Sequence, residues 1–162
     1  MTRGILLAVL LVASTTLAGA GESVLVQAGS PCRYRANASN PGIGTTWTAE
    51  AFNDGAWPSG TYGVGYETEL PGAQALIATA VPSGTFSVYT RARFTIADPA
   101  AVTNLFLGAD WDDGFVAWIN GVEVYRTQLP AGAPAWFHTP MASTFVPACS
   151  AGIAAETFTS EP

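Results

Sequence analysis

The residues with chemistry to offer lie in three places. Asp110-Trp111-Asp112-Asp113-Gly114 sets three carboxylates around a tryptophan, His138 is the lone histidine, and Cys32 and Cys149 are the two cysteines. Carboxylates and backbone carbonyls in a glycine-relieved turn are the donors that Ca²⁺ takes, about six to eight oxygens in all. A calcium ion on Asp110, Asp112 and Asp113 is therefore the metal reading of the cluster. The spacing departs from a calcium loop, because Gly114 comes one residue early and no bidentate Glu follows at the required distance. A polar turn in which Asp side chains bond neighbouring N–H groups accounts for it more simply.

Other catalytic sets are incomplete. A glycosidase needs a carboxylic acid of raised pKa and a second carboxylate about 5–10 Å away. Consecutive strand residues point to opposite faces, so Asp112 and Asp113 do not make that pair. Either would need Glu67, Glu69 or Glu123 as partner, and the sequence by itself does not bring these together. One histidine cannot build a zinc site, no G-x-S-x-G elbow is present, and no thiol-protease motif surrounds either cysteine. No glycine-rich loop opens a helix to cradle a phosphate. The chain is read as a non-enzyme.

Sugar binding asks for planar aromatics beside polar groups. Tyr62, Tyr66, Trp111, Trp118 and Trp136 lie in or beside loops. The ligand-binding set read from the sequence is Trp111 with Asp110 and Asp112, together with Tyr66 and Arg91. Trp47, Phe52 and Trp57 are read instead as rings that pin a long loop, and Trp118 also suits a core partner of Val116.

Those residues must be held by something. The chain has 162 residues, enough for one domain. Only 11% of residues are charged against 49% hydrophobic, the reverse of a disordered segment. All six basic residues are arginine, and the net charge of −6 argues against a nucleic-acid partner.

Residues 1–20 read as a secretory signal peptide. Arg3 precedes the apolar run Gly4–Ala13, and Ala18-Gly19-Ala20 forms an A-x-A cleavage pattern. The run is too short to cross about 30 Å of hydrocarbon. Export, a mature start near Gly21 and no membrane span in the mature chain are expected. In an oxidising compartment an even cysteine count favours a Cys32–Cys149 disulfide.

The mature chain reads as strands and turns. Phe86–Ile96 alternates apolar and polar residues, the pattern of a half-buried antiparallel strand. Val102–Ala109 is apolar on both faces and reads as a central strand. Phe115–Ile119 and Val122–Arg126 flank Asn120-Gly121, a type I′ hairpin signal. Ser23–Gln27 and Cys32–Arg35 are further strands, while Ala73–Ala80 suits a helical turn or a strand. Trp47–Tyr66 is too rich in Gly and Pro to be a helix. The pieces sum to an all-β, antiparallel β-sandwich.

An ordered set of motifs carries a resemblance. Trp47-x4-Phe52-Asn53-Asp54-x2-Trp57-Pro58 is followed by Gly63–Tyr66, Tyr89-x-Arg91-x-Arg93-Phe94, Ala109-Asp110-x-Asp112-Asp113-Gly114 and Asn120–Val124. The set resembles the galactose-binding-domain-like jelly roll, an accessory module of secreted bacterial proteins, over roughly Val24 to Pro130. The resemblance implies about eight strands, a non-catalytic role and carbohydrate or a cell-surface glycan as partner, and some relatives hold a structural calcium ion. The chain departs from that pattern after Pro130, where no long final strand is legible. Residues 21–147 are assigned to the sandwich, which reads as incomplete at its C-terminal end, and 148–162 to an irregular tail. A monomer is expected. The rival readings are a spacer module of a larger secreted protein and a hydrolase using Asp112 or Asp113 with a Glu.

Overall fold

A computed structural model describes residues 5–15, 23–68, 73–111, 114–137 and 158–159. The architecture is all-β. The strands are β1 (Ile5–Thr15), β2 (Ser23–Val26), β3 (Pro31–Asn37), β4 (Ser59–Thr61), β5 (Val64–Tyr66), β6 (Thr79–Ala80), β7 (Ser87–Arg91), β8 (Val102–Trp111), β9 (Phe115–Ile119), β10 (Val122–Thr127) and β11 (Phe158–Thr159). The helical elements among the described residues are short 3₁₀ turns at Thr46–Thr48, Ala73–Leu76 and Pro99–Ala101. One sheet runs β11-β8-β1-β5-β6, with β2 also paired to β1; a second runs β4-β3-β7; the third is the β9–β10 hairpin. All pairs are antiparallel except β5–β6.

The apolar run expected to serve as an export signal forms β1. Its register against β8 extends from Leu7 opposite Trp111 to Thr15 opposite Val102. An unbroken apolar run suits either a signal-peptide core or a strand buried in a sheet, and periodicity does not separate the two. β8 spans the expected central strand and runs on to Trp111.

The β4-β3-β7 sheet has two unlike faces. Cys32, Tyr34 and Ala36 on β3, with Val88 on β7 and Ala92 just after it, turn toward the core. There they meet Val26, Tyr62, Val64 and Val81, with Leu105 and Leu107 of β8 alongside. Val64 is fully buried, a placement that stabilises by about 1.5–3 kcal/mol. Arg33, Arg35 and Asn37 stand directly opposite Arg91, Tyr89 and Ser87 on the other face. The Asn37 amide donates to the Ser87 hydroxyl at 3.1 Å.

β7 ends at Arg91, five residues short of the strand expected from the alternation. The β3–β7 ladder ends at the Arg33–Arg91 pair; continued by two residues it would reach Pro31, which has no N–H to donate. Residues 73–80 divide the two readings between them, a 3₁₀ turn and then β6. Gly63 makes that junction possible. Its φ is +102°, and a Cβ there would lie 2.4 Å from the Leu76 carbonyl oxygen. The carbonyl of Gly63 accepts from the N–H groups of both Ala78 and Thr79.

In the β9–β10 hairpin, Asn120 and Gly121 have φ of 50° and 84°. Both are positive, as a type I′ turn requires. Asp98 accepts from the Ala100 N–H, with Pro99 first in the turn that leads into β8.

Candidate functional site

Three aromatic and polar groupings compete for the role of a site. The largest is built on the outer face of β7. The loop 45–57 folds over that face because Arg91 anchors it. The Arg91 guanidinium donates to the Asp54 carboxylate at 2.9 Å, to the Ala49 carbonyl at 3.1 Å and to the Trp47 carbonyl. It also lies 5.4 Å from the centre of the Phe52 ring. Partial desolvation raises the Asp54 carboxyl, but the hydrogen bond and charge of Arg91, with the charge of Arg93, outweigh it and hold the group below its ordinary value. Trp47 stacks on Tyr89 at 4.5 Å and 11°, and it meets Trp118 edge-on at 5.4 Å. Trp57 and Phe52 continue the cluster. Trp47 and Trp57 are buried. These rings are engaged with one another, as the loop-pinning reading expects.

Arg91 is thus fastened into the scaffold and is not brought to the Asp110–Trp111 end of β8. It lines a groove whose walls include none of Tyr66, Asp110 and Trp111. The signal for this was legible, since Asp54 and Arg91 both belong to the ordered motif set, but their pairing across 37 residues was not.

The second grouping lies at the far end of β8. Trp111 is half-buried and rests on Phe115 at 5.1 Å, and Phe115 meets Tyr125 at 5.1 Å. The three rings form a row that crosses from β8 to the hairpin. Asp110, next to Trp111, is exposed. Tyr66 pairs with Ile5 and Trp111 with Leu7 on the two sides of β1. Tyr66 and Trp111 therefore close the same end of the six-stranded sheet. Asp112 and Asp113 lie outside the described residues, so the calcium reading and the Asp112 contribution to a sugar site fall there. Among the described residues no group of three His, Cys, Asp or Glu could hold a metal.

The remaining chemical candidates are occupied or buried. Cys32 is buried and has no disulfide partner among the described residues. Burial pushes it up to about 11, so it stays neutral at physiological pH, unlike an activated nucleophile. Cys149 and His138 lie outside the described residues. Glu123 accepts two hydrogen bonds from Arg126, at 2.7 and 2.6 Å. That pairing lowers its pKa, the wrong direction for a glycosidase acid. Glu67 accepts from the backbone of Thr68 and Ala73, and Glu69 lies outside the described residues. Tyr62 is 6% exposed and belongs to the core, not to a platform.

The third grouping is a groove of about 790 Å³ between β7 and β9, floored by Val26, Tyr62, Leu105 and Leu107. Trp118 and Trp136 line it. Sequence reasoning missed it, because it is bounded by strand edges that only the pairing scheme reveals.

No protein family, curated protein or solved structure matches this chain.

Proposed function

We propose that this chain is a secreted, non-catalytic β-sandwich module of galactose-binding-like type that binds carbohydrate at the end of β8. The observation that carries the reading is Trp111, half-buried on Phe115 beside an exposed Asp110. A partly exposed indole held rigid by a second ring offers an apolar plane for the C–H face of a pyranose at low entropic cost. An exposed carboxylate beside it accepts from hydroxyls. The buried rings of the loop 45–57 offer no such plane. Export, a Cys32–Cys149 disulfide and a monomeric state belong to the same proposal, in which cleavage after Ala20 would take β1 out of the sheet and leave β8 without that neighbour. Ca²⁺ at Asp110, Asp112 and Asp113 is its metal variant.

The test is a thermal melt with and without calcium across a panel of soluble glycans. A ligand that binds only the folded state stabilises it by about 2.7 kcal/mol at a hundred times its Kd. A shift with one sugar class, lost in Trp111→Ala, is the expected result. A shift with calcium alone makes the aspartate cluster a metal site. A clean transition that no glycan moves favours the spacer reading.

A further inference from the structure

Two roles compete for the run Ile5–Thr15. As β1 it lies inside the six-stranded sheet, with neighbours on both edges. Leu7–Thr15 run against Trp111–Val102 of β8 on one edge. On the other edge, Ile5–Leu7 run against Tyr66–Val64 of β5 and Leu11–Ala13 against Val26–Ser23 of β2. The ladders satisfy the backbone N–H and C=O groups of the run through other strands. The same residues form the apolar core of the export leader, behind Arg3 and ahead of Ala18-Gly19-Ala20. A leader acts as a free segment. In hydrocarbon its backbone groups must be satisfied within the segment, as in a helix, and a strand cannot do that alone. One run therefore cannot serve both roles at the same time.

The pairing scheme sets an order in time. Leu7 meets Trp111, so the β1–β8 ladder cannot form until most of the chain has been made. At about 5–20 residues per second, β8 follows β1 from the ribosome by about 5–20 s. Pairing between distant segments is itself slow, because the loop between them must first be closed. Until β8 arrives, one whole edge of the run is open, and the other has only the short β2 and β5 ladders. Once β8 is in place, both edges are closed.

We propose that β1 is a folding-controlled export switch. The leader is available for export until it pairs with β8, and a precursor that folds first withdraws its own leader and escapes processing. The proposal rests on the export reading of residues 1–20. Linkage couples the two outcomes: whatever holds the run free competes with folding, and cleavage makes the result irreversible. The cut chain then lacks β1, so β8 keeps β11 on one edge and loses its partner on the other.

The test uses the full chain from Met1 and signal peptidase in detergent micelles, read by intact mass. The folded precursor is assayed beside the same precursor freshly diluted from urea. The unfolded form is expected to be cut after Ala20. The folded form is expected to be cut about a hundredfold more slowly, since cleavage waits on the open population. Amide exchange of the folded precursor should show 5–15 protected together with 102–111. A second copy of residues 1–20 placed ahead of Met1 separates the role of β1 from that of the fold at large. The sheet holds one copy, so the other is free, and the folded variant should lose a leader at the unfolded rate. Equal cleavage of folded and unfolded parent overturns the switch and leaves the leader reading intact. So does slow cleavage that the doubled leader does not relieve, or exchange of 5–15 in the folded precursor at the rate of an unstructured peptide. If neither form is cut after Ala20, the leader reading itself fails and the switch falls with it.

Discussion

The Arg91 guanidinium on β7 and the Asp54 carboxylate in the loop 45–57 lie 2.9 Å apart, with side chains only 10% and 14% exposed. The pair fastens a loop of low helix and strand propensity to the outer face of a sheet. Without it, Trp47, Phe52 and Trp57 lose the backbone clamp that sets their packing on Tyr89.

Arg91→Ala is expected to lower stability by about 3 kcal/mol, since it leaves Asp54 and the Trp47 and Ala49 carbonyls without their donor. Arg91→Lys recovers only part, because an ammonium cannot serve a carboxylate and two carbonyls in the fork geometry of a guanidinium. Urea melts of the two variants check this. Equal stability of Arg91→Ala and the parent chain counts against the clamp.

The same pair sets an acid dependence. The folded Asp54 carboxyl lies below its ordinary value of 3.8. A depressed carboxylate contributes stability that is complete above its unfolded pKa and is lost as pH falls through the folded one. Stability should therefore drop below about pH 4 by more in the parent than in Asp54→Asn. Parallel pH profiles of the two would remove Asp54 from the acid transition.

Replacing Asn120-Gly121 with Ala-Ala forces two alanines to positive φ in the β9–β10 turn. A cost of about 1–3 kcal/mol is expected. An unchanged melting temperature speaks against the type I′ turn. Gly63→Ala is harsher, because its Cβ meets the Leu76 carbonyl at 2.4 Å as well as an unfavourable φ. It should fail to fold at temperatures where the parent is native.

Peptide mapping of the exported chain without reductant tests the compartment. An N-terminus at Gly21 and a linked Cys32–Cys149 peptide are expected. Two alkylated thiols after denaturation, or an intact Met1, count against export in that form. In reduced protein Cys32 should resist iodoacetamide at pH 8 until the chain unfolds, since burial keeps the thiol neutral.

Local patterning was legible in the sequence. The all-β class follows from short β-branched and aromatic runs separated by Gly, Pro and Asn. The β9–β10 hairpin follows from Asn120-Gly121, because few residues tolerate positive φ twice in succession. The division of β7 into an arginine face and an apolar face follows from period two. The pinning role of Trp47 and Trp57 follows from bulky rings in a segment that cannot form regular structure. Each of these is decided within a few residues of chain.

The tertiary structure decided everything that depends on which strands meet. Arg91 was read as a ligand residue, yet its guanidinium is engaged by a loop 37 residues upstream. The run Ile5–Thr15 forms a strand against β8, a placement its apolar content allows but does not require. The groove between Phe86–Ile96 and Gly114–Asn120 lies where β7 and β9 each pair with a single strand among the described residues. Backbone edges carry no side-chain signature, since every residue but proline brings the same donor and acceptor to them. Pairing is set by the competition of all strands for those groups, and that competition is settled only in the folded chain.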